Sequence, residues 1–214
     1  MMNALRCLLS ALLLSTCSAG VWANTGSEHD ESEPAAGQII RTAVSKPKLS
    51  IDVASRNYFT DLPVVNQDGK SVRFYSDVLK DRVVMINFIY TNCTDACPLT
   101  TYKLTQVKKA LGERFGEDVF FVSISIDPER DTPEALRTFA ARQKAEHPGW
   151  IFLTGRKSHI DTIVKKLGQY NAEAQMHSTL LLAGNVKTRH WAKVQPLATV
   201  EEMVLRVQTL VSEL

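Results

Sequence analysis

Apolar and polar positions change their rhythm several times along this chain, and each change predicts an element. Leu62-Pro63-Val64-Val65-Asn66 and Ser71-Val72-Arg73-Phe74 flank the polar Gln67-Asp68-Gly69-Lys70, a hairpin signal built on Asp-Gly. Residues 82–89 and 118–126 are nearly continuous runs of Val, Ile, Met and Phe, as strands buried on both faces are. Over 99–111, Leu104, Val107 and Leu111 recur at helical spacing and Gly112 ends the pattern. A second helix is expected from Asp131-Thr132-Pro133-Glu134 to about Glu146, because Asp131 and Glu134 have capping-box spacing and proline suits a first turn. Trp150-Ile151-Phe152-Leu153 reads as a short strand, and Ser158 and Asp161 are expected to cap a helix that stops at Gly168. Residues 178–183 and 186–194 predict an antiparallel pair around Gly184-Asn185. Thr199 and Glu202 then open a last helix with Val204, Val207, Leu210 and Val211 as its buried stripe.

Strands that alternate with helices and finish in a hairpin predict an α/β sandwich with a mixed central sheet and an N-terminal β-hairpin. Before residue 50 the rhythm is different. Arg6 followed by Leu8-Leu9-Ser10-Ala11-Leu12-Leu13-Leu14, then Val21-Trp22-Ala23, has the layout of a signal peptide over residues 1–23. Residues 24–57 open with Ser, Glu, Ala, Gly and Pro and read as a flexible linker, with His29 as a solvated tail residue. The folded domain is expected over 58–214. Cys17 after Leu14-Ser15-Thr16 loosely resembles a lipoprotein box, which would keep the N-terminus on a membrane, but Thr16 fits that box poorly. The expected location is outside the cytoplasm, in a periplasm or on the periplasmic face of the inner membrane.

The chain has 214 residues, 44% of them hydrophobic and 22% charged, which suits one domain with a real core. Its net charge of +2 lacks the strongly basic patch that nucleic-acid binding needs, and Lys108-Lys109 and Lys165-Lys166 fit solvated helix faces.

The chemistry concentrates after the first buried run, at Tyr90-Thr91-Asn92-Cys93-Thr94-Asp95-Ala96-Cys97-Pro98. Both thiols sit where a strand hands over to a helix start, and unpaired N–H groups there favour a thiolate. Cys93 and Cys97 would close only a very small loop, so a staple there stabilises little and a working pair is the better reading. If the segment is helical, the two sulfurs lie on one side, a soft seat suited to Cu(I) or Zn(II). Of the five histidines, His177 is best placed to add a third ligand, at the start of a predicted core strand. A lone histidine there has an ordinary alternative as a structural or solvated ring.

The cysteine stretch resembles the motif of the Sco/SenC copper proteins. Ser125-Ile126-Asp127-Pro128-Glu129-Arg130-Asp131-Thr132-Pro133-Glu134 is similar to that family's acidic segment, and His177-Ser178-Thr179 to its ligand histidine. The resemblance implies a thioredoxin-like fold that binds copper, as Cu(I) or Cu(II), through Cys93, Cys97 and His177. It implies a partner too: the cytochrome c oxidase subunit carrying the binuclear copper centre, or another copper-receiving protein. Asp127 and Asp131 match the acidic pair, with roles as a strand-ending turn and a helix cap as the plain alternative. Thr94 stands where a proline is usual and Met176 where an acid often precedes the histidine.

Two functions stand open at this point. One is a metallochaperone that passes copper on by ligand exchange. The other is an exported thiol-disulfide oxidoreductase in which Cys93 attacks and Cys97 resolves. A peroxidase is disfavoured, because no arginine is expected near Cys93.

Overall fold

The computed structural model describes residues 50–94, 96–171 and 179–214. Helix α1 (Ile51–Phe59) opens this region, capped by the Ser50 side chain, which accepts from the Val53 N–H. Ser55 and Phe59, one turn apart, are both buried, and Phe59 joins the core. The ordered body therefore starts ahead of residue 58, and the last turns of the expected linker are helical. Residues 24–49 and the expected signal segment lie outside the described residues.

The hairpin forms as the Asp-Gly turn demands. Strands β1 (Pro63–Asn66) and β2 (Ser71–Arg73) pair antiparallel with Val64 opposite Val72. Asn66 Oδ1 accepts from the N–H groups of Asp68 and Lys70 at 3.0 and 2.9 Å, and Gly69 takes φ +76°. A π-helical turn (Phe74–Leu79), not predicted, follows and buries Phe74, Tyr75, Val78 and Leu79.

Strand β3 (Val83–Ile89) is buried at all seven positions. It runs parallel to β4 (Val119–Ser125), which runs parallel to β5 (Trp150–Thr154). On its other side β3 pairs antiparallel with β6 (Leu181–Asn185), and β6 with β7 (His190–Val194). The sheet order is β2-β1-β5-β4-β3-β6-β7, a mixed sheet with the cysteine-bearing strand inside it. Helices α2 (Ala96–Leu111), α3 (Pro133–Arg142) and α5 (Val200–Val211) cover one face. Helix α1, the π-helical turn and α4 (Lys157–Lys166) cover the other. This is the thioredoxin-like sandwich with an N-terminal hairpin that the sequence led us to expect.

Several element ends differ from expectation for local reasons. Thr132, not Asp131, caps α3: its side chain accepts from the Ala135 N–H, with Pro133 in the first turn. That helix stops at Arg142, short of Glu146, where Lys144 turns to φ +55°. Helix α4 begins at Lys157 after Arg156, which gives no side-chain cap; Ser158 and Asp161 fall inside it, and Asp161 takes the Lys157 ammonium at 2.7 Å. The closing hairpin turns later than expected, after Asn185, whose Oδ1 accepts from the N–H groups of Lys187 and Thr188. The capping box of Thr199 and Glu202 forms as read.

Candidate copper and thiol site

Strand β3 delivers the chain at Ile89 into a tight turn, in which the Cys93 N–H donates to the Tyr90 carbonyl at 3.1 Å. Helix α2 then begins at Ala96, so Cys97 sits in its first turn and Cys93 just ahead of it. The two residues stand as thiols. The Cys93 sulfur accepts from the Cys97 backbone N–H at 3.2 Å. A sulfur thus does what a capping oxygen usually does, and it takes the position where the helix end favours negative charge. The thiols do share one side, but Cys93 reaches it from outside the helix, not from the preceding turn.

Their surroundings differ. Cys93 is 8% exposed and opens to a surface groove; Cys97 is 2% exposed. Burial pushes the Cys97 thiol up to about 12, with the hydrogen bond to the Cys93 side chain adding to the effect. The Tyr90 hydroxyl is also pushed up to about 12, first by its hydrogen bond with the Cys93 side chain and then by burial. At neutral pH Cys97 therefore keeps its proton until a metal or a disulfide exchange removes it.

Asp131 is the residue whose role changes most. It is buried, and its carboxylate accepts from the Thr91 N–H at 3.0 Å, the Thr91 hydroxyl at 2.6 Å and the Ser125 hydroxyl at 2.6 Å. A buried carboxylate needs that many donors. Here the donors come from the cysteine turn and the end of β4, so Asp131 pins one to the other. Asp127 joins this anchoring only through its backbone, where its N–H donates to the Ser125 hydroxyl at 3.1 Å. Its carboxylate pairs with exposed Arg130 at 3.3 Å, and its carbonyl accepts from the Arg130 and Asp131 N–H groups. The expected acidic pair splits into one anchor and one turn residue.

The groove in front of Cys93 holds about 750 Å³ and is lined by Asn92, Pro98, Glu134, Thr138 and Arg142 among others. Arg142 lines the same groove, so an arginine shares the surface onto which Cys93 opens. It comes from the last turn of α3, a face that no local spacing connects to the cysteines. His177 and Met176 lie outside the described residues. Thr179 and Leu180 lead into β6, which pairs Leu182 with Ile86 of β3, so the chain enters β6 at the end of the sheet from which β3 runs out to Cys93. Among the described residues no group of three His, Cys, Asp or Glu side chains could hold a metal ion.

The family model described as SCO1/SenC matches residues 55–211. A SCO1 protein homolog of Bacillus subtilis is 43% identical over 102 residues, 47% of this chain and 51% of that protein. The chain thus spans about half the length of the curated relatives it matches. Among solved structures, Bradyrhizobium japonicum ScoI with copper bound is similar at a TM-score of 0.59 and 25% identity, over 69% of this chain and 96% of that one. BsSco, studied for a disulfide switch and called a member of the Sco family of cytochrome c oxidase assembly proteins, is similar at a TM-score of 0.60 and 28% identity. That likeness covers 71% of this chain and 91% of BsSco. With the fold, the paired thiols at a helix start and a family match over most of its length, this chain belongs to the SCO1/SenC family.

Proposed function

We propose that this protein binds copper through Cys93, Cys97 and His177 and serves the assembly of a respiratory oxidase, delivering copper to the binuclear centre or preparing its cysteines. The observation that carries this reading is the 3.2 Å contact between the Cys97 N–H and the Cys93 sulfur, which holds two soft donors together at a partly open helix end. The copper-bound relative supports the cargo, and BsSco, as a member of a family of oxidase assembly proteins, supports the destination. His177 precedes Thr179 by two residues in the sequence, and the chain from Thr179 enters the sheet at the thiol end.

The second reading, a thiol-disulfide oxidoreductase, draws on the unequal exposure of the two sulfurs. Cys93 would attack a substrate disulfide, and Cys97 would then displace the substrate thiol. The protein would end with a Cys93–Cys97 disulfide, and the substrate would gain both electrons. Titration of the reduced protein with Cu(I), beside His177→Ala, separates the readings. One equivalent bound tightly, and much more weakly by the variant, supports the carrier; no binding by either protein, with disulfide reduction intact, rejects it. Export to a periplasm belongs to the same proposal, with cleavage after Ala23 favoured over lipidation at Cys17. The mass of the mature protein distinguishes cleavage after Ala23 from lipidation at Cys17.

A further inference from the structure

The sheet face away from the thiols holds a second concavity that the copper reading does not use. It lies between α1, the end of α4 and the β6-β7 hairpin, and its volume of about 580 Å³ is that of a small-molecule site. We propose that it binds a single amphipathic carboxylate, an acyl chain with an anionic head.

The walls are apolar and set by specific residues. Phe59, Leu167 and Leu182 belong to the core, and Trp191 lies against it. Gly184 stands directly opposite Trp191 in the hairpin, and a Cβ at position 184 would come within 2.3 Å of the indole. Glycine there lets the indole lie flat across the neighbouring strand, with the Phe59 ring 5.2 Å away at a tilt of 44°. Tyr58, also lining the cavity, is left 61% exposed, so an aromatic surface stands open at the mouth.

The charge around these walls has one sign. Lys166, Arg189 and Lys193 line the cavity, and no carboxylate does among the described residues. Arg189 and Lys193 enter no ion pair among the described residues, and the Lys166 ammonium is held at the end of α1 by the Asn57 carbonyl at 3.1 Å. The nearby acids are engaged elsewhere: Asp52 with Lys80 and Tyr75, Glu213 with His190 and Thr188. A lysine on an edge strand also discourages strand pairing, which would account for Lys193 on β7. It does not account for Lys166 or Arg189, which lie off that strand, or for the cavity. A concave apolar site with a cationic rim suits one tail and one anionic head; a bilayer surface would call for apolar side chains that protrude.

The test titrates the full chain with dodecanoate below its micelle concentration and follows the indole N–H resonance of Trp191, assigned with Trp191→Phe. We expect a saturable shift at one equivalent. Dodecyltrimethylammonium, the same tail with a cationic head, should bind at least about tenfold more weakly. The double variant Arg189→Glu/Lys193→Glu, altered at two exposed positions, should weaken dodecanoate by at least about tenfold and bring the two heads to parity or beyond. Ala54→Phe, which fills the cavity from α1, should remove the shift. Equal affinity for the two heads, an unchanged double variant, or a shift seen only with phosphatidylglycerol vesicles would each overturn the proposal. Cu(I) binding by the double variant, expected to be unchanged, shows that its thiol face remains intact.

Discussion

The two faces of the central sheet are built on different terms. Facing α1 and α4, the strands present Val84, Ile86 and Phe88 from β3, and Val122 and Ile124 from β4, all apolar. Facing α2, α3 and α5, the same strands interleave Asn87, Ser123 and Ser125 with Val83, Met85, Ile89 and Phe121. These polar groups are bonded in a line: the Trp150 indole donates to the Ser123 hydroxyl at 2.9 Å, which donates to Asn87 Oδ1 at 2.7 Å. Ser125 continues toward the site by donating to Asp131. On one face the strands offer only apolar side chains, whereas on the other they accept the cost of buried polar groups close to the cysteine turn. The difference shows where position matters more than stability.

That contrast can be broken at several depths. Cys97→Ser removes one of the proposed soft ligands and should lower Cu(I) affinity by about a thousandfold or more in competition titrations, with the apolar face untouched. On that apolar face, Phe74→Ala deletes a fully buried ring and should cost about 4 kcal/mol in urea unfolding. Once corrected for the unfolded fraction, its copper affinity should match the parent; a coupled loss would mean the faces are not independent. Asp131→Ala leaves the Thr91 and Ser125 donors without their acceptor and should cost about 3 kcal/mol. Unlike Phe74→Ala, it should also weaken copper, since the cysteine turn loses its anchor; unchanged affinity would reduce Asp131 to a purely structural role.

The pH dependence has a definite sign. The Cys97 thiol moves from an ordinary 9.0 to about 12 in the folded state, so between those values the native protein holds more protons than the unfolded chain. This contribution to stability is complete below about pH 9 and is lost as pH rises toward 12. Comparing the parent with Cys97→Ser by denaturant unfolding should show the parent losing stability more steeply above that point. The smallest effect belongs to an element end: Thr199→Ala breaks the capping box of α5 and should cost about 1 kcal/mol, with copper binding unaffected.

Where a single pattern carries the information, the sequence was readable. Continuous Val, Ile and Phe announced β3 and β4, Asp-Gly announced the first hairpin, and Cys93, Cys97 and Pro98 announced a helix start with thiols on it. Signals that depend on another part of the chain were lost. Helix α1 follows a linker-like stretch, and its buried residues, Ser55 and Phe59, acquire meaning only against the π-helical turn and the closing hairpin. Asp131 looked like a cap because its spacing to Glu134 is local, whereas its partner Thr91 lies 40 residues away. Arg142 lines the groove of Cys93 only because α3 covers the same sheet face as α2.

The position of β3 also bears on how fast the site can be completed. Its antiparallel neighbour pairs Val83 with Asn185, so one wall of the thiol-bearing strand is supplied by residues about a hundred positions later. Pairings this distant in sequence slow folding, because the long intervening loop must be closed before the contact rewards it. Until the closing hairpin arrives, Cys93 and Cys97 belong to an incomplete sheet and are open to any oxidant or stray metal ion they meet. Under the proposed copper reading, which needs both sulfurs reduced, the vulnerable period is the protein's own synthesis and folding, before there is a finished site to protect.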